Sequence, residues 1–278
     1  MLKVLKSGFF STIQDNGRLG FLNKGVPVSG YMDTFSASKA NKLLSNQADA
    51  AVIEVTMTGP TLQFEKPTYI CIGGADISIT LNNTPMQHFK VYKIEEGDIL
   101  SYGRLKKGFR SYLAIRGGFK THVVLGSRSF YVPITSKSHL SDGIHIDYEA
   151  DFDYSPKITE IKVTGLLDES VLETSKGPEF GLFDDKQLER LFSKKFSIAK
   201  EYNRMAYQLE QRLPTHTVTM LTSATLPGTV QITPNGKLIV LMKDGQTTGG
   251  YPRLLQLSDK AISILAQKKY GDDISFGL

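Results

Sequence analysis

The stretch of the chain best suited to binding a small polar ligand is Asp244-Gly245-Gln246-Thr247-Thr248-Gly249-Gly250-Tyr251-Pro252. Its glycines let a ligand approach the backbone closely and expose amides that no side chain shields. Its threonines and glutamine add uncharged donors and acceptors, and it also holds one carboxylate and one phenol. The alternative is a strained hairpin loop between two apolar strands, since loops carry function only where a scaffold holds them.

Familiar cofactor and nucleophile motifs are absent from the sequence. Gly236-Lys237 is preceded by Gln231 where a phosphate loop needs glycine, and no Gly-x-Ser-x-Gly elbow occurs. The five histidines lack zinc-ligand spacing, so no metal site is expected. Cys71 lies in an apolar run, which predicts a buried, inert thiol and a reducing compartment. Any active site must therefore be assembled from polar loops.

The composition is that of an ordinary globular protein. The chain has 278 residues, 40% of them apolar and 22% charged, which allows two domains or one large one. No apolar run is long enough to cross a bilayer and no signal-peptide core is present, so a cytoplasmic location without membrane contact is expected. The net charge of +5 is spread among acids, which argues against a nucleic-acid partner. Its densest basic stretch, Arg104 to Lys107, is expected to form a solvated turn.

Short apolar stretches bounded by Gly, Pro, Asn or Asp predict a mainly β fold with a few short helices. Helices are predicted at 34–45, with Asp33 as a candidate N-cap, and at 184–192 and 258–267. A polar segment from 136 to 156 suggests a boundary between an N-terminal β-rich subdomain (1–150) and a C-terminal subdomain (151–278). The predicted strands are 2–5, 12–14, 52–57, 62–64, 68–72, 77–81, 89–94, 99–102, 111–115, 158–164, 196–199, 217–221, 229–232, 238–242, 254–257 and 274–276.

Polar loops along nearly the whole chain match one known family in order. The matching segments are Gln14-Asp15-Asn16-Gly17-Arg18, Gly25 to Asp33, Ala40 to Asn46, Glu54 with Gly59-Pro60, Arg110 to Gly118, Leu125 to Ser129, Gly177-Pro178-Glu179, Arg204-Met205 with Arg212-Leu213, Asp244 to Pro252, Ala266-Gln267 and Gly271-Asp272. The chain resembles the KipA-like, biotin-dependent carboxyltransferase-domain family. That family includes the C subunit of ATP-dependent 5-oxoprolinase, proteins like the second subunit of allophanate hydrolase, and urea amidolyase-related proteins.

The resemblance implies a cyclophilin-like β-barrel in the C-terminal subdomain and a heteromeric enzyme. The partners it implies are a KipI-like subunit and a LamB/YcsF-like subunit, with no activity for this chain alone. The implied reaction is ATP-driven opening of the 5-oxoproline lactam to glutamate. Two alternatives remain open: a carboxyltransferase component that uses biotin and acts on urea or a similar amide, and a non-catalytic regulator that binds a KipI-like kinase inhibitor. Because the sequence holds no biotin-carrier or carboxylase segment, the oxoprolinase reaction is the first expectation.

Two segments depart from the family pattern. Residues 141–150 lack the expected Gly-Gly-Arg-x-Leu and Gly-Asp pattern, which leaves a site role near Gly143 open. Ala206 stands where a glycine is usual after Arg204-Met205, a change that concerns backbone conformation.

We expect two polar loop sets to meet in one cleft and bind a small lactam or amide. Asp244 is the candidate acceptor or base, Arg204 a candidate clamp for a carboxylate, and Tyr251 a donor or stacking wall, and these three are the predicted catalytic residues. Amides near Gly249 and Gly250 would stabilise an oxyanion or a phosphorylated intermediate. The predicted substrate-binding residues are Asp15, Arg18, Ser29, Gly30, Met32, Asp33, Arg212, Gln246, Thr247, Thr248, Gly249 and Gly250.

Several of these residues also have purely structural interpretations. Asp33 suits an N-cap as well as a ligand, and Arg18 would pair with Asp15 to hold a turn. Asn41 and Asn46 are expected to satisfy loop backbone groups. Glu54 in a strand is a candidate buried partner for an arginine.

Overall fold

The computed structural model describes all 278 residues, and the chain divides into two compact units. Unit 1 comprises Met1–Arg18 and Ser29–Leu167, and unit 2 comprises Leu19–Val28 and Asp168–Leu278. Residue 150, the predicted subdomain boundary, lies within unit 1. Both units are rich in β-strand, which confirms the predicted fold class.

Unit 1 is built on one nine-stranded sheet. Its strands are β1 (Leu2–Lys6), β2 (Phe10–Gln14), β3 (Val52–Thr56), β4 (Thr61–Phe64), β5 (Thr68–Leu81), β6 (Thr84–Pro85), β7 (Val91–Ile94), β8 (Ile99–Ile115) and β9 (His145–Ile146). The strand order is β2-β3-β8-β4-β1-β9, and β5 pairs with β6, β7 and β8. The central pairs, which join β3, β4 and β5 to β8, are antiparallel, and Ile53, Leu113 and Ile72 meet in the apolar core of the sheet.

The helix predicted near residue 34 is α1 (Thr34–Leu43), and its start follows from a cap. The Asp33 carboxylate accepts the Ser36 backbone N–H at 2.9 Å, which satisfies one of the free amides of the first turn. Ala37, Ala40 and Leu43 form the buried face and belong to a second apolar cluster of unit 1. The helix therefore fixes the position of the loop that precedes it.

Unit 2 contains a closed barrel of seven strands. The strands of unit 2 are β10 (Val171–Lys176), β11 (Phe196–Tyr202), β12 (Ala206–Arg212), β13 (Ser223–Ala224), β14 (Thr229–Ile232), β15 (Lys237–Leu241), β16 (Thr248–Gly249), β17 (Arg253–Leu257) and β18 (Asp273–Gly277). The barrel order is β10-β17-β14-β15-β12-β11-β18, and β13 and β16 form a separate two-stranded ribbon. Paired residues such as Val230 and Val240 are fully buried, as expected for positions that face a barrel interior.

Two capped helices complete unit 2. In α2 (Asp185–Ser193), Asp184 and Gln187 form a capping box, and in α3 (Asp259–Ala266) the Ser258 hydroxyl accepts the Ala261 N–H at 3.2 Å. Both helices lie where the sequence predicts them. None of the helices is both long and apolar enough to span a membrane.

Three predicted features of the strands are wrong. The basic stretch at 104–107 lies inside the 17-residue β8. Here β8 continues beside β5 through several register shifts, so charged side chains stand exposed on a strand instead of a turn. Segment 158–164 makes only one bridge, between Lys90 and Glu160, and 217–221 forms no strand.

Two of the longer strands, β10 and β12, are absent from the predicted set, as are the two-residue strands β6, β9, β13 and β16. In β12 buried Tyr207 and Leu209 alternate with polar neighbours, the period-2 pattern of a half-buried strand. That alternation is present in the sequence, but β12 has no continuous apolar run, which is the pattern by which the other strands were predicted.

Candidate functional site

The structure brings Arg204 and Asp244 together in unit 2. Arg204 lies in the hairpin between β11 and β12, and Asp244 follows β15, which pairs with β12 in antiparallel register. The two segments share a backbone hydrogen bond from the Asp244 N–H to the Arg204 carbonyl at 2.8 Å. The guanidinium donates through Nε to Oδ2 at 2.8 Å and through Nη2 to Oδ1 at 3.1 Å. This bidentate pair is buried, with 7% of Arg204 and 8% of Asp244 exposed.

The geometry of the pair leaves the Asp244 carboxylate able to accept a further hydrogen bond. Each carboxylate oxygen of Asp244 accepts one hydrogen bond from Arg204, and an ionised carboxylate offers about four lone-pair sites in all. Asp244 can therefore still accept a ligand N–H while Arg204 holds its plane. In this structure the arginine clamp is closed on Asp244, so its direct effect is to orient that carboxylate.

The loop after Asp244 is a short ribbon with an exposed edge. Thr248 in β16 pairs with Ala224 in β13, and Thr225 fastens the same segment through its N–H to Thr247 O at 3.0 Å and its hydroxyl to Gln246 O at 2.5 Å. The Gln246 side chain is exposed and makes no hydrogen bond within the chain. The exposed residues of this loop are Gln246, Thr248, Gly250 and Tyr251.

Two side-chain amides converge on Gly249. A Cβ built there would lie 2.5 Å from Gln231 Nε2 and 2.8 Å from Gln246 Nε2, so any side chain would displace them. Gln231 is 1% exposed and donates to the Tyr251 carbonyl at 3.3 Å. Sequence reasoning missed Gln231. A glutamine within the apolar strand 229–232 was the available signal, because buried polar side chains require partners.

Arg212 is not brought to this group. It is exposed at the far end of β12, opposite Lys237, eight positions after Arg204. At ~3.3 Å per residue, β12 from Ala206 to Arg212 alone spans about 20 Å. The contacts within unit 2 therefore do not support the predicted role of Arg212 in substrate binding.

In unit 1 the Asp15 carboxylate is surrounded by donors. It accepts the Ser127 hydroxyl at 2.6 Å and the Ser129 hydroxyl at 2.7 Å. It also accepts the backbone N–H of Gly17 at 2.9 Å and of Arg128 at 2.5 Å. Asp15 therefore holds the 127–129 loop against the end of β2.

Arg18 is fully buried beside the same loop. Its Nη2 donates to the carbonyl of Ser129, whose hydroxyl donates to Asp15. Arg18 and Asp15 are therefore both hydrogen-bonded to Ser129.

The loop from Ser29 to Asp33 directs its amides inward. Four successive backbone N–H groups donate within the chain. The Gly30 N–H donates to Gln14 Oε1 at 3.1 Å, and the Tyr31 N–H donates to the Asp15 carbonyl at 3.0 Å. The Met32 N–H donates to Glu54 Oε2 at 2.9 Å, and the Asp33 N–H donates to Tyr112 Oη at 2.7 Å. Gly30 has φ 83°, and a Cβ there would lie 2.8 Å from Asp15 O, so only glycine fits. None of these four amides is available to a ligand.

Ser29 is the exception in this loop. It is fully buried at φ 55°, a conformation uncommon outside glycine, and its hydroxyl makes no hydrogen bond within the chain. Backbone strain at a polar loop residue is a recognised feature of ligand sites.

The alternative interpretations of two acids are now decided. Asp33 is the N-cap of α1, and its second oxygen accepts the Ser36 hydroxyl at 2.6 Å. Glu54 is a buried partner of Arg110, with Oε1 and Nε 3.7 Å apart. Burial, with the nearby charges of Glu54 and Asp33, holds the pKa of the Tyr112 phenol well above its usual value, so the phenol stays protonated.

Asn41 and Asn46 have the structural roles predicted for them. Asn41 Nδ2 donates to the Ala50 carbonyl at 2.8 Å, and Asn46 Nδ2 donates to the Ile115 carbonyl at 2.7 Å.

The predicted site residues thus fall into two groups, each assembled within its own unit. Asp15, Arg18 and Ser29 to Asp33 belong to unit 1, and Arg204 with the 244–251 loop belongs to unit 2. A single cleft formed by both groups stays a prediction. No group of three or more His, Cys, Asp or Glu side chains is placed to hold a metal ion.

Comparisons with known proteins point to one family. The model of the carboxyltransferase domain, subdomain A and B, matches residues 24–278. The chain is 31% identical to the 5-oxoprolinase C subunit of Escherichia coli (strain K12), over 99% of this chain and 90% of that protein. It is 27% identical to urea amidolyase of Lachancea kluyveri, over 99% of this chain but 17% of that protein.

Solved structures show the same fold. The crystal structure of TTHA0988 superposes with a TM-score of 0.90 at 26% identity, covering 100% of this chain and 56% of that one. The K. lactis urea amidolyase superposes with a TM-score of 0.89 at 25% identity, covering 99% of this chain and 18% of that one. The chain therefore spans about half of the first structure and less than a fifth of the second.

Proposed function

Because the chain belongs to the family of the carboxyltransferase domain, subdomain A and B, we propose that it is the C subunit of an ATP-dependent 5-oxoprolinase. The observation that carries the proposal is the near full-length match to the 5-oxoprolinase C subunit, at 31% identity over 90% of that protein. Urea amidolyase, by contrast, is matched over 17% of its length. A cyclic-amide hydrolase with several subunits is therefore the activity that we assign.

The proposed enzyme contains two further subunits, one LamB/YcsF-like and one KipI-like, and this chain alone is inactive. The relatives are named as one lettered subunit of 5-oxoprolinase, which supports the existence of such partners. ATP supplies the energy that activates the lactam carbonyl. The chain carries no phosphate-loop motif, so ATP is proposed as a substrate of the complex.

The substrate class fits the 244–251 loop of unit 2. A five-membered lactam holds its amide cis, so the N–H and C=O lie on one edge of a small planar ring. The exposed carboxamide of Gln246 offers a donor and an acceptor of matching spacing. We assign the Gln246 amide NH₂ to the lactam carbonyl at this edge, with Thr247 and Thr248 as neighbouring polar contacts.

Asp244 is proposed as the group that takes the lactam proton. Arg204 holds both oxygens of the carboxylate, which removes rotational freedom before the substrate arrives. The free lone pairs of Asp244 then accept the lactam N–H proton, and the electron pair left on nitrogen delocalises onto the carbonyl oxygen, which is the atom that ATP activates. Amides at Gly249 and Gly250 are proposed to stabilise that charge, and Tyr251, which is 42% exposed, to form the wall or a donor.

In unit 1, Ser29 is proposed as the residue of its loop whose hydroxyl is left for a ligand. Its buried hydroxyl makes no hydrogen bond within the chain, whereas the amides around it do. Asp15, Arg18 and Asp33 are proposed to support this loop.

The test is reconstitution. The chain is co-purified with its LamB/YcsF-like and KipI-like partners, and glutamate is measured after addition of 5-oxoproline with and without ATP. The proposal expects glutamate only in the complete mixture with ATP, and at least about a hundredfold loss in the Asp244→Asn variant. Glu201→Gln, at an exposed carboxylate on β11, is the matched control and should keep full activity. A complete and folded complex that is inert on 5-oxoproline would overturn the proposal.

A second candidate is a biotin-dependent carboxyltransferase component acting on urea or a similar amide. The family description and the urea amidolyase match over 99% of this chain favour it. Transfer of a carboxyl group from carboxybiotin to urea by the purified chain would support this reaction over lactam opening. A third candidate is a non-catalytic regulator. In that case the Asp244→Asn variant would still bind its KipI-like partner, and the biological effect of the complex would be unchanged.

A further inference from the structure

A second bidentate ion pair lies directly after the 244–251 loop. The Arg253 guanidinium donates to Glu179, through Nε to Oε2 at 2.9 Å and through Nη2 to Oε1 at 2.7 Å. The Arg253 backbone N–H donates to the same Oε2 at 3.0 Å. The pair is mostly buried, with side-chain exposures of 18% for Arg253 and 14% for Glu179. Three hydrogen bonds therefore fix Arg253 to one carboxylate.

The same guanidinium reaches the ribbon. Its Nη1 donates to the Ala224 carbonyl at 2.7 Å, and Ala224 in β13 pairs with Thr248 in β16. A continuous chain of contacts thus runs from Glu179 through Arg253 and Ala224 to Thr248. Two-residue strands have little stability of their own, so their position depends on such supports.

Glu179 is itself anchored by its segment. Gly177 donates its N–H to the Leu254 carbonyl at 2.7 Å, and the Glu179 N–H points to the Arg253 carbonyl at 3.4 Å. Gly177-Pro178-Glu179 is thereby fastened along the start of β17. This placement gives the Gly177-Pro178-Glu179 motif a structural role, which the sequence alone did not assign to it.

We propose that Glu179, acting through Arg253, is a positioning residue that sets the placement of Gln246 and Thr248 toward the substrate. This inference rests on the proposed function, because it takes the 244–251 loop as the substrate site. Arginine is required, since lysine offers a point charge and cannot hold two carboxylate oxygens and a carbonyl in one plane.

The test compares variants within the assembled enzyme. Glu179→Gln removes the charge and keeps the shape, and Arg253→Lys keeps the charge and removes the fork. Glu95→Gln is the matched control, because Glu95 makes an ion pair with Lys93 at 2.7 Å at a site where both side chains are more than half exposed. Four quantities are measured: KM and kcat for 5-oxoproline, the thermal midpoint, and the hydrogen-exchange rates of amides 223–225 and 246–249.

Both test variants should speed exchange in the two ribbon segments about tenfold and raise KM more than they lower kcat. Glu95→Gln should change neither. Folded Glu179→Gln and Arg253→Lys proteins with wild-type exchange at 246–249 would overturn the inference, even if their thermal midpoints fell. If the wild-type complex proved inert on 5-oxoproline, the proposed function would fail, while the exchange data would still decide whether Glu179 positions the ribbon.

Discussion

The two polar loop sets look alike in sequence but differ in how their hydrogen bonds are used. In unit 1, the carboxylate of Asp15 and the amides of 30–33 all bond within the chain. In unit 2, the buried pair of Arg204 and Asp244 closes the base of the loop, and Thr225 and Gln231 bond to its backbone carbonyls. The side chains of Gln246 and Thr248, however, face solvent.

This difference shows that amino-acid composition alone does not distinguish a loop that supports the fold from a loop that binds a ligand. A ligand can use only donors and acceptors that the protein has left open. By that criterion we expect the unit 1 loop to act as support, with the buried Ser29 hydroxyl as an unpaired group, and the unit 2 ribbon is the better candidate for substrate contact. Variants of both loop sets should separate these roles, and the expected loss of stability decreases from the buried pair to the exposed loop.

Arg204→Ala should give the largest loss of stability. It removes the bidentate partner of the Asp244 carboxylate, and Asp244 is only 8% exposed in the intact protein. Breaking a buried pair on one side costs about 3–5 kcal/mol. Urea denaturation measures the loss, and Arg204→Ala with Asp244→Ala should recover part of it. A loss below about 1 kcal/mol would show that the pair is effectively solvated.

Asp15→Asn should destabilise the protein by about 2–3 kcal/mol, because it weakens several charge-assisted hydrogen bonds at a buried site. If unit 1 only supports the site, KM for 5-oxoproline in the folded variant should change less than about threefold. A large rise in KM at unchanged stability would contradict the distinction between the two loops. Ser29→Ala is the companion variant and should raise KM with little effect on unfolding.

Glu179→Gln should cost about 1–2 kcal/mol, because a mostly buried carboxylate loses its charge-assisted hydrogen bonds to Arg253, and the cost should depend on pH. Hydrogen bonds from Arg253 lower the pKa of Glu179 below its ordinary value near 4.5. The stabilisation is therefore complete above about pH 4.5 and is lost as pH falls through the lowered pKa. Thermal midpoints of wild type and variant should differ by a constant amount from pH 8 to pH 5 and converge at lower pH. A difference that grows on acidification would refute this assignment.

Gln246→Ala should change stability by no more than about 0.5 kcal/mol, since the side chain is exposed and makes no hydrogen bond within the chain. KM for 5-oxoproline should nevertheless rise about tenfold, because the lactam edge loses its partner. Gln208→Ala, at another partly exposed glutamine of unit 2, is the control. Equal KM values for the two variants would remove Gln246 from the site.

Much of the fold was accessible from local sequence. Asp33, Asp184 and Ser258 begin the three helices because each side chain bonds an amide only three residues ahead. Most strands were visible as short apolar runs. Both ends of the long strand β8 were predicted, at 99–102 and 111–115, but its middle section was not, because that charged section has the composition of a turn.

The candidate site was predictable in its residue types but not in its contacts. Arg204 and Asp244 are 40 positions apart, and only the antiparallel pairing of β12 and β15 joins them. Glu179 and Arg253 are 74 positions apart, and Gln231 meets Tyr251 across 20. None of these partners can be inferred from spacing, because barrel closure sets which strands are neighbours.

On its own, the amino-acid sequence determined the family, the mainly β character, the capped helices and the segments rich in polar groups. These follow from short-range periodicity, from bonds between near neighbours and from motifs that keep their order. Only the tertiary structure decided which polar groups are consumed by the protein and which remain for a ligand. The physical reason is that a donor is satisfied by whatever acceptor the folded chain places within about 3 Å, however distant it is in sequence.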